Sequence, residues 1–144
     1  MAATPISVTA ADVHRISGTQ KVVTAGGTIT AGQPVYKNTN TGKYEAAHAT
    51  ILAKSLAEGI ALTGSSDLQP LVIQTTGIID IGGTVLAGVC YVVDDTAGGI
   101  VEYDRLQGSP GITTGDFVTV LGVGNDATNK YIELSIVQSG VALA

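Results

Sequence analysis

The chain has 144 residues, which fits one domain with a real core. Aliphatic side chains dominate, and charged residues make up only 13%, against ~25% in an ordinary soluble domain, which excludes a disordered chain. The net charge is −5 and the seven Lys and Arg are scattered, so no basic face for nucleic acid exists, and no apolar run approaches the ~20 residues of a membrane span.

In chain order, residues 1–18 read as an N-terminal arm. Its first part is small and weakly patterned, Pro5 makes it extended, and it lacks the basic start and apolar centre of a signal peptide. Residues 19–144 read as one β domain. Strand signals are Lys21-Val22-Val23, Pro34 to Lys37, Leu71 to Gln74, Ile78 to Ile81, Val89 to Val93, Asp116 to Leu121 and Tyr131 to Ile136. The last alternates, with Ile132, Leu134 and Ile136 inward. Val89 to Val93 is nearly all apolar and so is expected to be buried on both faces. The 19 glycines fall between these runs as turn punctuation. One segment departs from the pattern. Tyr44 to Glu58 is rich in Ala, carries Leu52 and Leu56, and ends before Gly59, which predicts a short helix or helical turn. The fold class is therefore all-β: a small barrel or sandwich with one short helix and an extended N-terminal arm.

The two halves rhyme. Ala31-Gly32 and Ala87-Gly88 each precede a strand and a glycine ten residues after the first, Gly42 and Gly98. Two similar units, about 26–80 and 84–142, sharing one core would give this spacing; so would glycine turns recurring by coincidence.

The sequence offers little chemistry. His14 and His48 lie far apart and outside any metal-ligand spacing. Cys90 has no second cysteine and sits in an apolar run, as a small buried hydrophobe does. Asp94-Asp95 and Glu102-x-Asp104 could face each other in a hairpin and offer oxygens to Ca²⁺, but the spacing matches no calcium loop, and a solvated acidic turn is the simpler reading. Thr24 to Thr28 and Asp80 to Thr84 each hold a glycine pair, yet neither is a phosphate loop opening a helix. Gly77-Ile78-Ile79-Asp80 resembles the uracil-binding strand of a trimeric dUTPase, but the Tyr-Arg-Gly continuation and the Gly-Arg-Ser motif are missing. No catalytic residue, cofactor, metal or small-molecule substrate is expected.

One succession of pieces carries more. A turn and Val-Tyr strand at Thr30-Ala-Gly-Gln-Pro-Val-Tyr36 lead to Gly42-Lys-Tyr44, then to an Ala-rich stretch at 46–57 and to Gly59-Ile-Ala-Leu62. Leu71-Val-Ile-Gln-Thr-Thr-Gly77 and Gly88-Val-Cys-Tyr-Val-Val-Asp94 follow, with Gly-Asp-Phe-Val at 115–118, Leu-Gly-Val-Gly at 121–124 and Ser-Gly-Val-Ala at 139–142. Over residues 20–144 this order resembles the capsid cement (decoration) proteins of tailed phages and the related head-fibre proteins. The resemblance is one of turns and strands rather than of a chemical signature. It implies a β domain that forms a homotrimer on the outer face of the virion head at three-fold and quasi-three-fold positions. There it would bridge the major capsid protein after the shell expands, without a cofactor. A head-fibre or adhesion module binding a host surface is the alternative. For the arm, two readings stand side by side: residues 2–12 add an extended strand to a neighbour's sheet, or they form a disordered terminus. Its candidate partner contacts are Ala2, Ala3, Thr4, Pro5, Ile6, Ser7 and Val8.

Overall fold

The structure is a computed structural model that describes residues 6–103, 115–125 and 129–142. It is all-β. After a 3₁₀ turn (Ala10–Asp12) come β1 (His14–Arg15), β2 (Gln20–Thr24), β3 (Pro34–Lys37), β4 (Tyr44–Ala46), α1 (Leu52–Ser55), β5 (Ala57–Ala61), β6 (Pro70–Gln74), β7 (Gly77–Asp80), β8 (Cys90–Val93), β9 (Ile100–Glu102), β10 (Phe117–Asn125) and β11 (Tyr131–Ala142). The first sheet runs β2-β6-β5-β3-β4 and the second β1-β7-β11-β10-β8-β9, with every named pair antiparallel.

The sheets pack as a sandwich. Tyr36, Ala57 and Ile60 from the first sheet meet Ile79, Tyr91, Val93, Ile100, Leu121, Ile132 and Leu134 from the second in one buried cluster. The first sheet also has a core on its other face: Val35, Ala61, Leu71 and Ile73 with Ala25, Ile29 and Tyr44. A parallel bridge from Ala25 to Tyr44 curls that sheet around this second core.

Both sheets repeat one connection. Numbered within its own unit, each set of five strands lies in the order first, fifth, fourth, second, third: β2-β6-β5-β3-β4 and β7-β11-β10-β8-β9. The register repeats as well. Val35 pairs with Ala46, Tyr36 with Glu45 and Lys37 with Tyr44; Tyr91 pairs with Glu102, Val92 with Val101 and Val93 with Ile100, both partners advanced by the same count. Each unit carries a β-bulge at the same place, between Val35 and Tyr36 opposite β5 and between Tyr91 and Val92 opposite β10. By strand pairing the units are 20–74 and 77–142, so β7, which the glycine spacing groups with the first half, lies in the second sheet.

The short helix expected within Tyr44 to Glu58 is present as the four residues of α1, and the ends of the Ala-rich stretch form β4 and β5. Alanine's helix preference is a few tenths of a kcal/mol per residue, and burial of Ala57 and Ile60 between the sheets and of Ala61 in the second core outweighs it. One expectation is corrected, that residues 1–18 form an arm apart from the domain. From Ile6 onward it belongs to the domain. Ile6 donates its N–H to the Ile100 carbonyl at 2.8 Å and Thr9 donates to Gly82 at 2.7 Å. Ile6 and Val8 pack against the inter-sheet core, Val13 is buried, and β1 extends the second sheet beside β7. Glycines make this approach possible: a Cβ on Gly83 would lie 2.6 Å from Ile6 Cγ2, and one on Gly32 2.5 Å from Val8 Cγ1.

Candidate assembly surface

Away from Glu133, which pairs with Val123, the outer face of the second sheet across β8 to β11 is largely apolar where a solvated antiparallel sheet would alternate to polar. Direct pairing sets four valines in a row across four strands: Val101 on β9, Val92 on β8, Val120 on β10 and Val137 on β11. Directly paired residues share a face, and here that face points away from the first sheet. The inward positions of the same strands are Tyr91, Val93, Ile100, Leu121 and Leu134. The row runs from buried to open. Val101 and Val92 are sealed with Ala49, whose N–H donates to the Asp94 carbonyl at 2.9 Å and whose carbonyl accepts from Phe117 at 2.8 Å. Val118 and Val120 are half-buried, and Val137 is 55% exposed. Val123 (42%) and Val141 (67%) add apolar surface along the same two strands.

The open end of the row is also an open edge. Among the described residues β11 is flanked by β7 from Tyr131 to Leu134, and from Ser135 to Ala142 it pairs with β10 alone. This half-strand is held from behind by Gln138, whose Nε2 donates to the carbonyls of Leu56 (3.1 Å) and Ala57 (2.9 Å). Ser139 Oγ donates to the Val118 carbonyl at 2.6 Å. The ribbon is therefore fixed before any partner arrives. β10 contains no charged residue, and β11 contains none after Glu133. Other strand edges carry charge: Arg15 on β1, Lys21 on β2, Glu45 on β4 and Glu102 on β9. Such charges blunt an edge against pairing, and β11 lacks them. The sequence signal was the uncharged run from Leu134 to the end of the chain, which reading β11 only as an alternating strand overlooked.

Elsewhere the polar groups serve the fold. A shallow cleft of about 850 Å³ lies between the 3₁₀ turn, β1 and β7, lined in part by Asp12, His14, Asp80 and Lys130. His14 Nδ1 is 3.0 Å from the Asp12 carbonyl and 4.0 Å from the Asp80 carboxylate, whose other oxygen accepts the Gly82 N–H at 2.9 Å. Both glycine-pair segments follow strands, β2 and β7. His48 is bound to Thr50 Oγ1 at 2.8 Å, and burial, then Lys54, lowers its pKa. Burial pushes the Cys90 thiol up, away from thiolate chemistry. In the β8–β9 hairpin Asp94 sits at the turn while Glu102 pairs with Tyr91 at the other end, so these two do not converge; Asp104 lies outside the described residues. Among the described residues no three His, Cys, Asp or Glu cluster as a metal site would require.

Of the candidate partner contacts in the N-terminal segment, Ile6 and Val8 are committed to the chain's own core and Ser7 is exposed. Ala2, Ala3, Thr4 and Pro5 lie outside the described residues. No family model, curated protein or solved structure matches this chain.

Proposed function

We propose that this chain is a structural virion protein, a decoration (cement) protein of a tailed-phage capsid. In this reading a homotrimer binds the outer face of the head at three-fold and quasi-three-fold positions, bridges neighbouring major capsid proteins and stabilises the expanded shell. The observation that carries it is the row of valines on the outer face of the second sheet, uncharged along β10 and along β11 after Glu133, a surface suited to protein rather than to a small molecule. The order of turns and strands over residues 20–144 supports the same reading. Low charge fits close packing on a shell. Contacts that exist only in the assembled lattice stabilise it by linkage, and three linked feet raise avidity ~10²–10⁴-fold over one.

The test is co-sedimentation of the purified chain with expanded heads lacking their decoration protein, beside unexpanded proheads. Saturable binding to expanded heads only, with a raised temperature of shell disruption, is expected. Binding to neither form, or to host cells in place of heads, overturns the reading.

A further inference from the structure

We propose that the outer face of the β10–β11 ribbon, formed by Val118, Val120, Val137 and Val141, is where copies of this chain meet around their three-fold axis. The inference rests on the trimer reading above and adds to it the surface.

Near a rotation axis each group faces its own symmetry mates, so a charged side chain there would meet the same charge. A face that joins copies at an axis must therefore be uncharged, the more so in a chain of net charge −5. The ribbon meets that condition along all of β10 and along β11 from Leu134 to Ala142. In a chain of net charge −5, a face that avoids like-charge repulsion with its own symmetry mates points to a second and third copy as the occupant. The valines supply apolar area, exposed most at Val137 and Val141. The anchoring of Gln138 on Leu56 and Ala57 means little further ordering is required on contact. Stable interfaces bury about 1,200–2,000 Å² in total, more than one such row provides between two copies. A ring closes with two contacts per copy, so monomer should convert to trimer with little dimer between.

The experiment compares the full chain with Val137→Lys and Val141→Lys by light scattering over a dilution series. Both positions are exposed, so circular dichroism and the melting temperature of the monomer should hold. The expected result is a wild-type trimer and a concentration midpoint raised at least tenfold in each variant. A second variant, Val137→Cys in a Cys90→Ala background, is oxidised and run without reductant. Three thiols around an axis can form only one pair, so disulfide-linked dimer should plateau near two-thirds of the chains. Complete cross-linking would mean a two-fold contact, and none would place Val137 away from the axis; either overturns the proposal. A trimer unaffected by both lysines overturns this surface and leaves the trimer reading standing. A wild-type monomer at every concentration overturns both, and binding of that monomer to heads would still leave the decoration role intact.

Discussion

Gly26 and Ile6 do the same work in the two units. Gly26 donates its N–H to the carbonyl of Tyr44 at 2.7 Å, and Ile6 donates to the carbonyl of Ile100, the residue matching Tyr44 in the second unit, at 2.8 Å. In the first unit the chain following β2 supplies this donor. In the second unit the corresponding glycine, Gly82, instead accepts from Thr9, and the N-terminal segment fills the slot between it and Ile100. A segment far away in sequence completes the second unit.

That relationship predicts a structural cost for trimming the segment's apolar side chains. Ile6→Ala with Val8→Ala should remove about 2–3 kcal/mol of stability, since each side chain is partly buried against the inter-sheet core. Urea unfolding should show a lower midpoint at an unchanged slope. A loss below about 0.5 kcal/mol, the size of an ordinary surface change, would mean that the segment does not complete the unit.

The matched bulges predict a matched pair of sensitive glycines. A Cβ on Gly59 would lie 2.6 Å from the Gln74 carbonyl oxygen, and a Cβ on Gly122 would overlap the equivalent oxygen of Glu133. Gly59→Ala and Gly122→Ala should each cost about 2–3 kcal/mol through overpacking against backbone. Gly42 has a φ of +74° but open space, so Gly42→Ala should cost only about 1 kcal/mol. Thermal melts of the three variants rank them; equal losses at all three would show that crowding at the bulges is relieved by local shifts.

Much of this fold was legible because short apolar runs between glycine turns announce themselves: β3, β6, β8 and the alternating first half of β11 stand where the pattern of Val, Ile and Tyr put them. β4 and β5 were not legible, because Ala46, Ala57 and Ala61 carry a helical preference that only the packing of two layers overrides. β9 has just three residues, too few for a periodicity. The candidate surface was half visible. The valines and the lack of charge are in the sequence, but that Val101, Val92, Val120 and Val137 form one row depends on a strand order that brings β8 between β9 and β10.

The β8–β9 turn predicts a pH effect. Burial, partly offset by the Asp95 N–H bonded to Asp94 Oδ1 at 2.7 Å, pushes the Asp94 carboxyl up to about 6 from 3.8. The folded state thus holds this proton more tightly than the unfolded chain. The favourable contribution is complete below about pH 3.8 and is lost as pH rises through about 6. Asp94→Asn keeps an oxygen for the Asp95 N–H and removes the ionisation. It should be more stable than wild type at pH 7 by on the order of 1 kcal/mol, with the advantage vanishing near pH 4. Urea midpoints at pH 4, 5, 6 and 7 check this; an advantage that does not shrink on acidification would assign the effect to something other than ionisation.

Gln74 predicts the largest polar loss. It is fully buried at the end of β6, and the two hydrogens of its Nε2 are shared among the carbonyls of Ser17 (2.8 Å), Thr76 (2.8 Å) and Ile78 (3.0 Å), tying the turn before β2 to the start of β7. Its Oε1 is buried with no partner. Gln74→Met keeps the length but takes the side-chain donor from the Ser17 and Thr76 carbonyls, while the Ile78 carbonyl keeps the N–H groups of Ile16 and Ser17; the loss is about 2–4 kcal/mol, offset by about 1 from removing the orphaned oxygen. Gln74→Glu keeps the shape and turns a carboxyl toward three carbonyl oxygens. As a carboxylate it is repelled and buried; as the neutral acid it donates one hydrogen bond. The Glu variant should therefore be the least stable of the three at pH 7 and recover toward the Met variant at pH 4, after the wild-type pH curve is subtracted. A Glu variant as stable as wild type at pH 7 would show that this amide does not bind the three carbonyls in solution.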